Sequence, residues 1–249
     1  MDRDAPSELS GCGGIHGGYI VALGLRTMSS LVADAERTPR SLTCHLLAPV
    51  KPSAVELIAR IERDGGSTTS TSLRIEQGGA VVATALASHG KPRPSLGHIG
   101  VGPPDVPAPA DCKPLIDTVV EEARAGKLVE HRPAAPPLPL SGSDDAQIIV
   151  WMRLVEDRVV DPVSAAMLAD AAPPALYGRL TQPVPIPSSE ITIHFADLAS
   201  AGPSPWVLGV FRTSYAADGY AIEDGELWTE SRRLLLQARQ LRRILAPTT

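Results

Sequence analysis

The strongest constraint on this chain is that it resembles itself. Leu42-Thr43-Cys44-His45-Leu46 is matched by Ile191-Thr192-Ile193-His194-Phe195, 149 residues downstream. Both segments alternate as strands do, with Leu42, Cys44 and Leu46 on one face and Ile191, Ile193 and Phe195 on the other copy's equivalent face. A second pair, Val81–Ala87 and Leu234–Gln240, matches at an offset of 153. The small difference in offset fits a loop insertion between the two. A helix is predicted before each matched strand, from Gly17 to about Ser30 and from Pro162 to about Ala171. After each come long strand-like runs, VELIARIERDGGSTTSTSLRIEQGG in one half and WVLGVFRTSYAADGYAIEDGELWTES in the other. A helix followed by an antiparallel meander buries itself only if the sheet wraps it. The order therefore predicts an α+β unit, made twice.

The region between the halves, Lys91 to Pro139, holds 11 of the 24 prolines, in clusters such as GPPDVPAPAD and RPAAPPLPL. That composition reads as a linker crossing a surface, with a short helical signal from Lys113 to Arg124 inside it. The expected division is residues 1–90, a linker over 91–126, and residues 127–249. A net charge of −5 gives no reason to expect nucleic acid as a partner. No apolar run is long enough for a membrane span, and the start MDRDAPSELS is no signal peptide. Cys12, Cys44 and Cys112 are odd in number and lack metal-ligand spacing, so free thiols in a reducing cytoplasm are expected, without metal or cofactor.

One residue looks misplaced. Asp161 and Pro162 make a good helix start, and Pro173 and Pro174 stop the helix. Between them SAAMLADAA is small or apolar, as in a buried helix, except for Ser164 and Asp170. A carboxylate in the last turn opposes the helix dipole. Each half serves as a control for the other. Laying Pro162 on His16 sets Asp170 against Gly24. The strand match sets Ser188 against Pro39, Glu190 against Ser41 and Gln240 against Ala87. The polar residues are confined to the second half. For Gln240 a strand-end amide reaching solvent is the plain alternative, and for Asp170 a helix-end carboxylate in water. Their coincidence with Ser188 favours a site. His45 and His194 occupy equivalent positions in both halves, which points to a structural place for them.

The segments HGGYIVALGLRTM, RSLTCHLLAPVKP, DPVSAAMLADAAPP, SSEITIHFADL and GELWTESRRLLLQARQ resemble the double-hotdog acyl-CoA thioesterases of the thioesterase II type. The resemblance implies a double hotdog, two antiparallel sheets each wrapped on a helix, that hydrolyses a fatty acyl-CoA substrate. It implies catalytic roles for Asp170, Ser188 and Gln240, with Glu190 in support. Only 15 residues precede His16, which puts the family's substantial opening strand in question. Asp170 would be a general base on water, oriented by Ser188 and Gln240, or would attack directly to give an anhydride. His16, Gly17 and Gly18 would meet the substrate, their N–H groups facing the oxyanion, or the glycines would serve helix packing alone. The Asp161–Pro162 helix start is the other candidate for oxyanion donors. A homodimer is expected, because hotdog sheets associate. Two rivals remain at this level: a hotdog that binds acyl-CoA or a partner without turnover, and an enoyl-acyl hydratase or dehydratase. The segment FADLASAGPSP lacks the Asn-Pro and His of the latter.

Overall fold

A computed structural model of the chain describes residues 2–4, 10–11, 14–115, 128–156, 158–196 and 202–245. Its elements, in chain order, begin with β1 (Asp2–Asp4), β2 (Ser10–Gly11), β3 (Gly14–Ile15), α1 (Gly17–Ser29), β4 (Thr38–Leu46), β5 (Ala54–Asp64), β6 (Thr68–Gln77) and β7 (Ala80–Gly90). They continue with β8 (Val129–Ala135), β9 (Gln147–Leu154), α2 (Pro162–Leu168), β10 (Ser188–Phe195), β11 (Val207–Ala217), β12 (Tyr220–Thr229) and β13 (Leu234–Arg243). Eleven strands form one antiparallel sheet in the order β1-β5-β6-β7-β4-β10-β13-β12-β11-β9-β8. Ahead of α1, the three-residue β1 pairs with β5.

The two strands first matched in the sequence, β4 and β10, are neighbours at the middle of this sheet. They pair so that Thr43 and Thr192, equivalent at the offset of 149, face each other. Their hydroxyls hydrogen-bond at 3.0 Å. Outward from that junction the register repeats. Leu42 pairs with Ala87 on one side and Ile191 with Gln240 on the other. Two-residue turns with both φ positive, Gly78-Gly79 and Asp218-Gly219, close β6 to β7 and β11 to β12. This turn matches the strand twist and favours Gly and Asp.

Alternation dictates one buried face per strand, and α1 and α2 cover it. Leu25, Met28 and Leu168 join Leu42, Ile75, Ile191 and Ile193 in one continuous core. A second, smaller core lies under the Pro-rich segment, where Val106 and Cys112 pack with Trp151, Leu208 and Trp228. Trp151 Nε1 donates to Pro107 O and Arg132 to Pro109 O, so the segment is strapped to the sheet. The predicted helix from Lys113 fails at its start: residues 113–115 are not helical, and Leu115 N–H donates to His131 O. The rest of that stretch, from 116, lies outside the described residues, as does Cys12.

Helix α2 is shorter than predicted. It begins as expected, with Asp161 and Ser164 in a reciprocal capping box and Pro162 in the first turn. It ends at Leu168, and Asp170 N–H and Ala171 N–H then donate three residues back, to Met167 O and Leu168 O. Asp170 therefore sits in a tightened turn after the helix rather than in its last α turn.

Candidate active site

The turn that carries Asp170 abuts the first turn of α1. A Cβ on Gly17 would lie 2.8 Å from Asp170 Oδ2, and one on Gly18 would lie 2.6 Å from Met167 O. Only glycine lets the two backbones approach so closely. The carboxylate that opposed its own helix dipole thus faces the N-terminus of the other helix, where negative charge is favoured. His16, at the N-cap of α1, makes no side-chain cap. The start of α2 cannot play this part, because Asp161 closes it with its own carboxylate.

Asp170 is buried, and so are its neighbours Gln240, Arg242 and Glu223. Ser188, at the first position of β10, is the hub. Its Oγ lies 2.8 Å from Asp170 Oδ1, 2.6 Å from Gln240 Oε1 and 3.0 Å from Nη1 of Arg242, which donates to it. Gln240 Nε2 donates to Ala169 O at 3.0 Å, which fixes the amide with its oxygen toward Ser188. A buried amide needs such partners, since an unpaired one costs about 1–3 kcal/mol. The three catalytic candidates from the sequence are thus brought together by direct hydrogen bonds.

Two residues of the cluster escaped the sequence reading. Arg242 Nε and Nη2 donate to Glu223 Oε1 at 2.9 and 2.7 Å, and Nη2 lies 3.3 Å from Asp170 Oδ1. Glu223 Oε2 also accepts the N–H of Ala175, just past the Asp170 turn. Burial works against the charge of Arg242, but Glu223 and Asp170 outweigh it and raise its pKa above the ordinary value. The signal was available: Arg242 follows Gln240 by two on a strand, so it shares the inward face.

Other titratable groups ring the carboxylate. Burial lowers the pKa of half-buried His16 despite the opposing pull of Asp170, and its Nδ1 has no partner among the described residues. Burial also drives His131 down to about 4, so the neutral ring donates Nε2–H to Ala171 O at 3.0 Å and pins the turn. On β4, burial pushes the Cys44 thiol up to about 12, with Asp170 and Glu190 adding to the effect. That thiol stays protonated and is no nucleophile.

Glu190 is not brought into the cluster. A bulge between Ser188 and Glu190 shifts the register, and Ser189 Oγ donates to Leu241 O at 2.9 Å inside it. Glu190 precedes inward Ile191 and so lies on the outer face, where it accepts from Thr192 Oγ1 at 2.7 Å, while the bulge turns Ser188 inward. His45 and His194 are exposed on that outer face and do not reach Asp170. Gly17 and Gly18 direct their missing side chains at Asp170, Leu46 and Met167.

Two family profiles match the chain: an acyl-CoA thioesterase N-terminal domain over residues 5–90 and an acyl-CoA thioesterase C-terminal domain over residues 104–244. Among solved structures, a hot dog fold protein of unknown function from Alicyclobacillus acidocaldarius superposes with a TM-score of 0.91 at 29% identity, covering 99% of this chain and 93% of that one. A putative thioesterase from Novosphingobium aromaticivorans gives 0.83 at 21% identity, over 98% and 95% of the two chains. An acyl-CoA thioesterase II from Mycobacterium marinum gives 0.75 at 21%, over 93% and 90%. A search among curated protein sequences found no match. Among the described residues, no helix is long and apolar enough to cross a membrane.

Proposed function

Taking as premise that the chain belongs to the acyl-CoA thioesterase family and is a thioester hydrolase, we propose that it converts a fatty acyl-CoA to free acid and CoA with Asp170 as general base. The observation that carries this reading is how Asp170 is held. One carboxylate oxygen is engaged by Ser188 and Arg242, while the other faces Gly17 at the start of α1. A water between that second oxygen and a bound thioester would lose its proton to Asp170 as its oxygen attacks the carbonyl carbon. The N–H groups at the start of α1 are the nearest donors for the oxyanion. The C–S bond then breaks and the thiolate leaves without needing an acid.

Ser188 has one proton and faces two acceptors, Asp170 Oδ1 and Gln240 Oε1, while Arg242 Nη1 donates to its oxygen. Ser188 spends its capacity on the cluster, so in this reading it holds Asp170 and Gln240 rather than the water. The second N–H of Gln240 Nε2 remains for the water. In the same reading the chain is a double hotdog, with units over 1–90 and 127–249 joined by 91–126. The Thr43–Thr192 pairing favours two equivalent units.

Free-thiol release from short, medium and long acyl-CoAs, on wild type and Asp170→Asn, tests the proposal. Turnover in the wild type and its loss in the variant are expected. Equal turnover in both would remove Asp170 as base. Hydration of an enoyl-CoA without thiol release would move the chain to the hydratase class. In a single turnover in heavy-oxygen water, label in the Asp170 carboxylate requires an anhydride opened at the aspartyl carbon, since general-base attack puts all of it in the product acid.

A further inference from the structure

We propose that Arg242, locked by Glu223, is a positioning residue of this reaction: it keeps Asp170 ionised and holds Ser188 between Asp170 and Gln240. The inference rests on Asp170 being the base.

The geometry separates this role from fold maintenance. Arg242 splits its guanidinium between two tasks. Nε and Nη2 are tied to Glu223, at 2.9 and 2.7 Å, which fixes the plane of the group. Nη1 donates to Ser188 at 3.0 Å, and Nη2 lies 3.3 Å from Asp170. A buried Arg–carboxylate pair is a poor device for stability, because desolvation offsets most of its attraction. The other half of the sheet shows that the strand position does not need a charge. By register, Arg242 pairs with Ser188 where His89 pairs with Pro39, and Glu223 pairs with Gln240 where Thr71 pairs with Ala87. His89 is buried, its pKa is lowered by that burial, and it contacts Ser29. The N-terminal half therefore folds at these positions with neutral residues. The charges appear only where Asp170 is present.

The groups that face Asp170 leave Arg242 as the neighbour able to hold its negative charge. His16, ahead of α1, is neutral near pH 7 because burial lowers its pKa. Cys44 on β4 is a protonated thiol. Ser188 on β10 and Gln240 on β13 are uncharged, and neutral His131 on β8 donates to the carbonyl of Ala171 instead. Glu190 lies on the outer face and Glu223 reaches Asp170 only through Arg242; neither offers a cation. With one cation between two buried carboxylates, the hold on Asp170 depends on how strongly Glu223 competes for it.

The test is kcat/KM against pH for thiol release from the best saturated acyl-CoA of the panel. Its acid limb reports ionisation of the base in the free enzyme. The double variant Arg242→Met/Glu223→Met replaces the pair by apolar side chains of similar length, a change that buried pairs tolerate. Its acid limb is expected to move up by about one pH unit or more, a further loss of about tenfold on the acid side. Arg242→Lys keeps a charge but loses the fork to Ser188, so its limb stays near wild type while the plateau falls. Glu223→Gln frees Arg242 for Asp170, so its limb moves to lower pH. If the double variant does not fold, Glu223→Gln decides. A limb that stays put in the double variant, or in Glu223→Gln where only that one folds, with uniform loss only, overturns the proposal. Asp170→Asn, measured alongside, separates the failures: if it keeps turnover, the base assignment itself falls.

Discussion

The two halves of the sheet answer the same geometric problem with different chemistry. Around α2 the inward positions at the far end of the strands hold Asp170, Ser188, Glu223, Gln240 and Arg242. Around α1 the register partners are Pro39, Thr71, Ala87 and His89, with Ser29 against His89 at 2.8 Å. Ser29, at the end of α1, thus meets His89 as Asp170, past the end of α2, meets Arg242. Counting from helix starts missed this because α1 has 13 residues and α2 only 7. Gly24 instead faces Leu73 in the middle of the N-terminal core. One half joins these five side chains in a single connected cluster. At the matching positions the other carries uncharged side chains with separate partners, Thr71 on Ala87 O and His89 on Ser29.

The largest expected effect is on turnover. Asp170→Asn should lower kcat/KM about 10²- to 10⁴-fold, the usual worth of a general base, whereas Ser29→Ala should leave it within a factor of about three. Equal losses in thiol release from the two variants would erase the distinction between the halves. Next is the pH dependence of stability. His131 is held at about 4 in the folded chain against an ordinary 6.5, so the unfolded chain takes up the proton first. Stability should be full above 6.5 and fall as pH drops toward 4, by up to about 3 kcal/mol. Denaturant titrations at both ends of that window check this, and His131→Phe should flatten the decline.

Smaller effects separate packing from chemistry at the helix contact. Gly18→Ala meets the carbonyl of Met167 at 2.6 Å and should cost about 1–3 kcal/mol in chemical unfolding. Gly17→Ala meets only Leu46 and the carboxylate of Asp170, so its loss of activity should exceed what its stability explains. The smallest effect is expected at Arg239, which pairs with Asp224 from the solvent side of the same strand as Arg242. Arg239→Ala should change the midpoint of unfolding by under about 0.5 kcal/mol. A large shift there would mean that the outward charges matter as much as the inward ones.

Much of this was legible in the chain. Period-2 alternation placed Leu42, Ile191 and Gln240 on inward faces, because adjacent strand residues must point to opposite sides. Comparison of the halves picked out Asp170, Ser188 and Gln240 because local apolar patterns make a polar intruder visible. Glu190 was read into the site from the resemblance, although its place beside inward Ile191 sets it on the other face; the one-residue bulge that brings Ser188 inward is what local alternation could not foresee. Arg242 and Glu223 were overlooked because Arg and Glu on an exposed-looking meander resemble ordinary surface charges until the strands are paired.

What the sequence determined by itself, then, is the order of elements, their inward faces and the match between halves, all of them properties of residues close together along the chain. The tertiary structure decided where Asp170 points. Its own helix would have disfavoured the charge, and only the packing of α2 on the glycine turn of α1 sets that carboxylate at a helix N-terminus. Only strand pairing put the Arg242–Glu223 pair beside it. Such contacts join residues from 19 to 153 positions apart. They are settled by which buried charges can be satisfied together in space, which no local pattern encodes.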